Sequence, residues 1–244
     1  MSFPASEYVF KAPPILAHAR RVLIKPSAAY AMPYPVTSSL QMVTSIIEGV
    51  RAVSDADILV LEGTTSGESI YPVYKELGYN FPRVVMLDVK DCIWVEVENP
   101  LTKPLAVPTF WIPNVILSSD YLISATPAKV IDDRPALSIV NLLSLLPTAK
   151  YHPEKATSWQ DLYSLGIDKV IADLYFTLPF DFGIIEAKQK FSTTETDPTK
   201  GKTEEIGLTF AGEPLQIDIE AVEKLGLKAE YLTLIKEARK ELEV

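Results

Sequence analysis

Three stretches of this sequence carry residue types that hold small anions: Lys25 in "RRVLIKP" (20–26), the run "EGTTSG" (62–67) and Lys129 in "ATPAKVIDDRP" (125–135). Lys25 closes an apolar run. An ammonium there could neutralise an anion or, if desolvated, act as a base. It could also snorkel to the surface or pair with a carboxylate, and Lys129 has the same two readings. In the 62–67 run, Glu62, Gly63, Thr64, Thr65 and Ser66 combine small residues and hydroxyls ahead of a helix, which suits a phosphate or carboxylate. The run lacks the Gly-Lys-Ser/Thr of a Walker A loop and the G-x-G-x-x-G of a dinucleotide site. Its plainer reading is a strand–helix turn.

Two residues are candidates for acid–base work. His152 in "KYHPE" has a side chain that titrates near neutral pH, with a solvated loop histidine as the alternative. Asp218 lies one helical turn after Pro214, where it could act as a base or organise a helix start. Glu62, Asp88, Asp120, Asp173 and Glu186 fall at or near strands and read mainly as structural. A divalent metal could use such carboxylates, but no ligand pattern supports one. The two histidines cannot build a three-histidine zinc centre, and H-E-x-x-H is missing. The single Cys92 rules out an intramolecular disulfide and a four-thiolate iron–sulfur cluster. No metal site and no cofactor is therefore identified.

The elements that would position these residues follow from periodicity. Strands are predicted over 20–26, 55–63, 83–89 and within 114–127. A helix capped by Thr37 runs to about Ser54, with Leu40, Val43, Ile46, Ile47, Val50 and Val53 on one stripe. A short helix over 69–77 ends at Gly78. Alternation over 92–99 predicts an antiparallel edge excursion. Pro135 is expected to start a helix over "ALSIVNLLSLL", with Asp132, Asp133 and Arg134 capping it. A further helical stretch covers about 158–175. A strand over 181–191, a polar mobile loop at 192–205, the strand "GLTFAG" and helices over 214–225 and 229–242 complete the chain. Strand–helix alternation at this spacing argues for an α/β fold: a mostly parallel or mixed sheet with helices on both faces, in one domain over 1–244.

Composition bounds the partners. A net charge of −9 and a pI near 4.9 repel phosphate backbones, so nucleic acid is not expected. Membranes are not expected either, since no apolar run reaches spanning length. With no secretory pattern at the start, the expected setting is cytoplasmic. Hydrophobic residues make up 48% and mean hydropathy is +0.14, an apolar excess that a homo-oligomer interface or protein partner would absorb.

Taken in order, "VLIKP" (22–26), "VTSSLQMV" (36–43), "VLEG" (60–63), "GY" (78–79), "DYLISATPAK" (120–129), "LSIVNLLSLLP" (137–147) and "FAGEPLQID" (210–218) resemble the family known as domain of unknown function 362. The resemblance spans nearly the whole chain and implies an α/β fold with site residues at Lys25, Glu62, Gly63, Asn141 and Asp218. The sequence departs from the family pattern at Ser27, where asparagine is usual, and at Val140, where lysine is usual. It also departs after the central strand, where a basic histidine-containing motif is reduced to Lys129. None of these 244 residues resembles the ferredoxin-like domain that many relatives carry, so no such domain is expected here. At fold level the chain is also distantly similar to the N-terminal part of nickel-dependent lactate racemase. Three functions stay open: a binder or enzyme for a small anionic molecule, a non-catalytic scaffold that has lost part of the family site, and, third, a racemase-like enzyme.

Overall fold

The structure, a computed structural model, describes residues 1–151, 159–178 and 180–242. Its centre is built from apolar runs. Val22, Leu23 and Ile24 lie in β2 (Arg21–Pro26), and Ile58 to Leu61 lie in β3 (Asp57–Glu62); all are buried. Strands buried on both faces read this way because neither side meets water. β4 (Val84–Asp88) and β7 (Tyr121–Ile131) extend the parallel set: β4 pairs with β3, and β7 with β2.

β1 (Ser2–Pro4), β9 (Phe182–Thr194) and β10 (Asp197–Gly212) complete one side, giving the order β1-β10-β9-β7-β2-β3-β4. β8 (Arg134–Ala136) pairs with β7 off this path, so the sheet is eight-stranded and mixed. β5 (Trp94–Glu98) and β6 (Thr109–Pro113) form a separate antiparallel pair.

Helices cover both faces. Val43, Ile46 and Val50 of α1 (Leu40–Arg51) pack on Val22, Ile24, Val60 and Ile123, beside the short α2 (Tyr71–Glu76). A four-residue turn, α3 (Asn114–Leu117), leads into β7. On the opposite face, Leu23, Leu61 and Leu122 meet α5 (Ile167–Thr177) and α7 (Glu230–Leu242) through Val170, Leu174 and Ile235. α6 (Pro214–Lys224) sets Ile217 and Ala221 on Ala128, Ile185 and Phe210. Each fully buried Val, Leu, Ile or Phe among these contributes about 1.5–3 kcal/mol.

Several expectations need correcting. α1 is capped by Ser39, whose Oγ accepts from the Met42 amide, while Thr37 donates to the Met32 carbonyl instead. The 92–99 strand pairs with β6 and not with the edge of the main sheet. Gly166, at φ 90°, splits the 158–175 stretch into α4 (Gln160–Ser164) and α5. The 192–205 segment, expected as a mobile loop, is paired backbone in the β9–β10 hairpin, with Lys202 opposite Ser192 and Glu204 opposite Lys190. Its polarity suggested a loop, but its threonines suit a solvated hairpin.

The helix expected from Pro135 is absent. Asp132 and Asp133 have φ 47° and 63° and form the tight turn joining β7 to β8. Two consecutive left-handed residues match the twist of a hairpin, and aspartate tolerates that conformation better than most residues. Pro135 stands on the outer strand of that hairpin, where its missing N–H is harmless. Only a 3-10 turn, Val140–Leu145, remains of the expected helix.

Candidate functional site

The strand ends of β2, β3 and β7 carry a buried polar lattice. Lys25 and Glu62 are both fully buried, with Nζ 2.9 Å from Oε2. Lys25 also donates to the Pro26 carbonyl at 2.7 Å and to Asn141 Oδ1 at 3.1 Å, so its three N–H bonds are committed. Glu62 accepts, besides Lys25, the Ala28 amide at 2.7 Å, the Gly63 amide at 2.9 Å and the Ser144 hydroxyl at 2.6 Å. Asn141 Nδ2 returns bonds to the Lys25 carbonyl at 3.1 Å and to Ser124 Oγ at 3.0 Å. Burial pulls the Lys25 pKa down, and Glu62 opposes that pull. The lattice ties three strand ends to the 3-10 turn.

Above it opens a cavity of about 940 Å³. Ser27, Tyr30, Glu62, Thr65, Ser66, Lys129 and Asn141 line its strand-end side. Arg134, Trp159, Tyr163, Ile171 and Glu195 line it from the β7–β8 hairpin, the α4–α5 segment and the β9–β10 tip. The position matches the place where open α/β sheets bind ligands, outside the carboxyl ends of parallel strands.

Lys129 is the lysine of this lining. Its Nζ donates to Ser27 Oγ at 2.7 Å and, more weakly, to the Val36 carbonyl at 3.4 Å. Among the described residues no carboxylate lies within ion-pair distance of it, whereas Arg134, also on the lining, pairs with Glu195 at 2.6 Å. Burial draws the Lys129 pKa down to about 8; Glu62 pulls it back up and Lys25 lowers it slightly. An amine so placed can neutralise an anion or, when deprotonated, serve as a base.

The candidates named from sequence thus separate. Glu62, Thr65, Ser66, Lys129 and Asn141 reach the cavity, while Lys25, Gly63, Thr64 and Asp218 do not line it. Thr64 bonds the Glu68 carbonyl within its own turn. Gly63 passes under the 3-10 turn, where a Cβ would stand 2.9 Å from the Ser144 carbonyl. Gly63→Ala is accordingly expected to cost about 1–3 kcal/mol in denaturant melts. Asp218 is enclosed, accepting from the Ser138 and Ile139 amides, Ser138 Oγ and Tyr231 Oη. His152 lies outside the described residues. No group of three His, Cys, Asp or Glu side chains able to hold a metal gathers among the described residues, and no described helix is long and apolar enough to cross a membrane.

Several lining residues were not among the sequence candidates. Ser27 registered only as a departure from a family pattern. Arg134 was assigned to a helix cap, and Tyr30 sat unremarked in a proline-punctuated loop. Only Arg134, a cation beside Lys129, carried a signal that could have found it.

Comparison with curated proteins gives no match. Among solved structures, the lactate racemase apoprotein from Thermoanaerobacterium thermosaccharolyticum has a TM-score of 0.49 and 11% identity, covering 90% of this chain and 52% of that one. A protein from Thermotoga maritima has a TM-score of 0.40 and 9% identity, covering 91% and 57%. The chain spans little more than half the length of either. The family comparison takes in both the Lys25 strand and the Asp218 helix. The family described as Domain of unknown function (DUF362) matches residues 22–223, and the chain belongs to it.

Proposed function

We propose that this protein binds a small anionic molecule in the cavity at the strand ends, with Lys129 as its cationic contact. One observation carries the reading: Lys129 faces the cavity with only neutral oxygens as partners among the described residues. The hydroxyls of Thr65 and Ser66 and the guanidinium of Arg134 share that lining. Lys25 supports the site indirectly, by fixing Glu62 and Asn141 beneath it.

The test is a thermal-melt panel of phosphate and small carboxylates, repeated on Lys129→Ala. A stabilising anion is expected, and the variant should bind it about ten- to a hundredfold more weakly, the worth of one charge-assisted hydrogen bond. The sign of the pH dependence follows from the amine. Binding requires its protonated form, so affinity is full well below pH 8 and falls as pH rises through about 8. A hit indifferent to Lys129→Ala would remove the reading.

A non-catalytic scaffold is the second reading. It is favoured by the way Lys25, Glu62, Asn141 and Asp218 are spent on internal hydrogen bonds. A panel without any stabilising anion would select it.

A further inference from the structure

The two lysines at the strand ends differ in what holds the amine. Lys25 faces a carboxylate, which opposes the downward pull of burial on its pKa, and has no open side. Lys129 faces the Ser27 hydroxyl, a group that accepts a hydrogen bond from an ammonium or donates one to a free amine. Beyond it lies the cavity.

We infer that Lys129 is a condensing amine, forming a Schiff base with a small anion that carries an aldehyde or keto carbonyl. The ligand class is then the oxo acids. This deepens the anion-binding reading and rests on it.

Three features of the geometry support the step. Lys129 lines a space large enough for the carbonyl compound. Its backbone is pinned on both sides, Lys129 standing opposite Ala136 of β8 and Phe191 of β9, so the amine is presented from a fixed base. A second ammonium, Lys25, is fixed in the lattice behind it, and a neighbouring cation favours the free amine. Glu62 and Lys25 at the strand ends act on Lys129, and the other titratable groups on the cavity lining are Arg134 from β8, Asp168 from α5, Glu195 from the β9–β10 turn, and Tyr30, Tyr163 and Tyr231. Of these, Glu62 opposes loss of the proton, and its four hydrogen bonds already disperse its charge. A Lys129 pKa near 8 is consistent with this balance.

The chemistry closes without an oxidant or reductant. The nitrogen lone pair attacks the carbonyl carbon and a C–N bond forms. The carbonyl oxygen then leaves as water, taking both amine protons with it, and C=N remains. Protonated, this imine keeps a positive charge where the ammonium stood, so the anionic end of the ligand is still neutralised.

The experiment treats the full chain with glyoxylate and sodium cyanoborohydride, maps the carboxymethylated lysines by peptide mass spectrometry, and runs acetate melts in parallel. Lys129 is expected to label at least about tenfold faster than exposed lysines at pH 7, because far more of it is free amine. Its rate should level off above about pH 8, while exposed lysines keep accelerating toward their ordinary pKa of about 10.4. Lys129→Arg, which keeps a cation but cannot condense in this way, should lose the adduct. Should that variant not fold, the wild-type map and its pH profile decide alone. Labelling spread over exposed lysines, while acetate still stabilises the fold, overturns the Schiff base and leaves anion binding standing. Diffuse labelling with no stabilisation by acetate, phosphate or other small anions removes both.

Discussion

Glu62→Ala is expected to remove about 3–5 kcal/mol of folding stability, seen as a lower denaturant midpoint at unchanged slope. The size follows from what the side chain leaves behind. Lys25 would remain fully buried without its counter-charge, and the amides of Ala28 and Gly63 and the hydroxyl of Ser144 would each lose an acceptor. A buried charge stripped of its partner costs far more than the intact pair contributes. Lys25→Ala should cost less, because Glu62 keeps three neutral donors. The joint replacement Lys25→Met with Glu62→Leu should recover much of the loss, since a well-packed apolar pair has no charge to desolvate. A Glu62→Ala midpoint within error of the parent would mean that the lattice does not hold the strand ends together.

Asp218 yields the second large effect, in the pH profile. Burial lifts its carboxyl pKa to about 6, against the hydrogen bonds from Ser138, Ile139 and Tyr231 that pull it down. A carboxyl raised in this way binds its proton more tightly in the folded chain than in the unfolded one, where the value is about 3.9. Its contribution is therefore fully present below about pH 4 and is lost as pH rises through about 6. Raised from about 3.9 to about 6, this carboxyl contributes about 3 kcal/mol. In Asp218→Asn that dependence disappears, while the new NH2 cannot accept from one of the amides and costs about 1–3 kcal/mol. The variant's deficit should thus be largest at pH 4 and shrink by about 3 kcal/mol toward pH 7. Glu186 and Asp181 are also raised by burial, so the quantity to measure is the difference between parent and variant in urea melts. A difference that stays flat across this range would show that Asp218 does not titrate there.

What could be read in the sequence was whatever local chemistry decides. The runs of Val22–Ile24 and Ile58–Leu61 announce buried strands, and the stripe of Val43, Ile46, Ile47 and Val50 announces α1. The capping serine was missed by two residues because Thr37 and Ser39 offer the same hydroxyl, and what separates them is the loop bond from Thr37 to Met32 and the tertiary bonds from Ser39 to Glu186. The stretch after β7 failed for a stronger reason. "DDRP" suits a helix N-terminus and a tight hairpin about equally, and the choice is made by β7 and β8 pairing.

The site was legible as a set of residues but not in its division of labour. Lys25 and Lys129 look alike as single positions, each a lysine in an apolar run. One meets Glu62, 37 residues away in sequence, and the other meets Ser27, 102 residues away. No local pattern encodes those partners.

β7 outruns its neighbour. It stays paired with β2 only as far as Ala125, opposite Pro26, and then continues to Ile131 between β8 and β9. Lys129 therefore projects from a ledge of continuous sheet and not from a loop, as strand-end groups in α/β folds commonly do. Little backbone entropy is left there for a ligand to take away. Affinity at such a ledge can come from few contacts, and selectivity from shape, because the protein has already been ordered by folding.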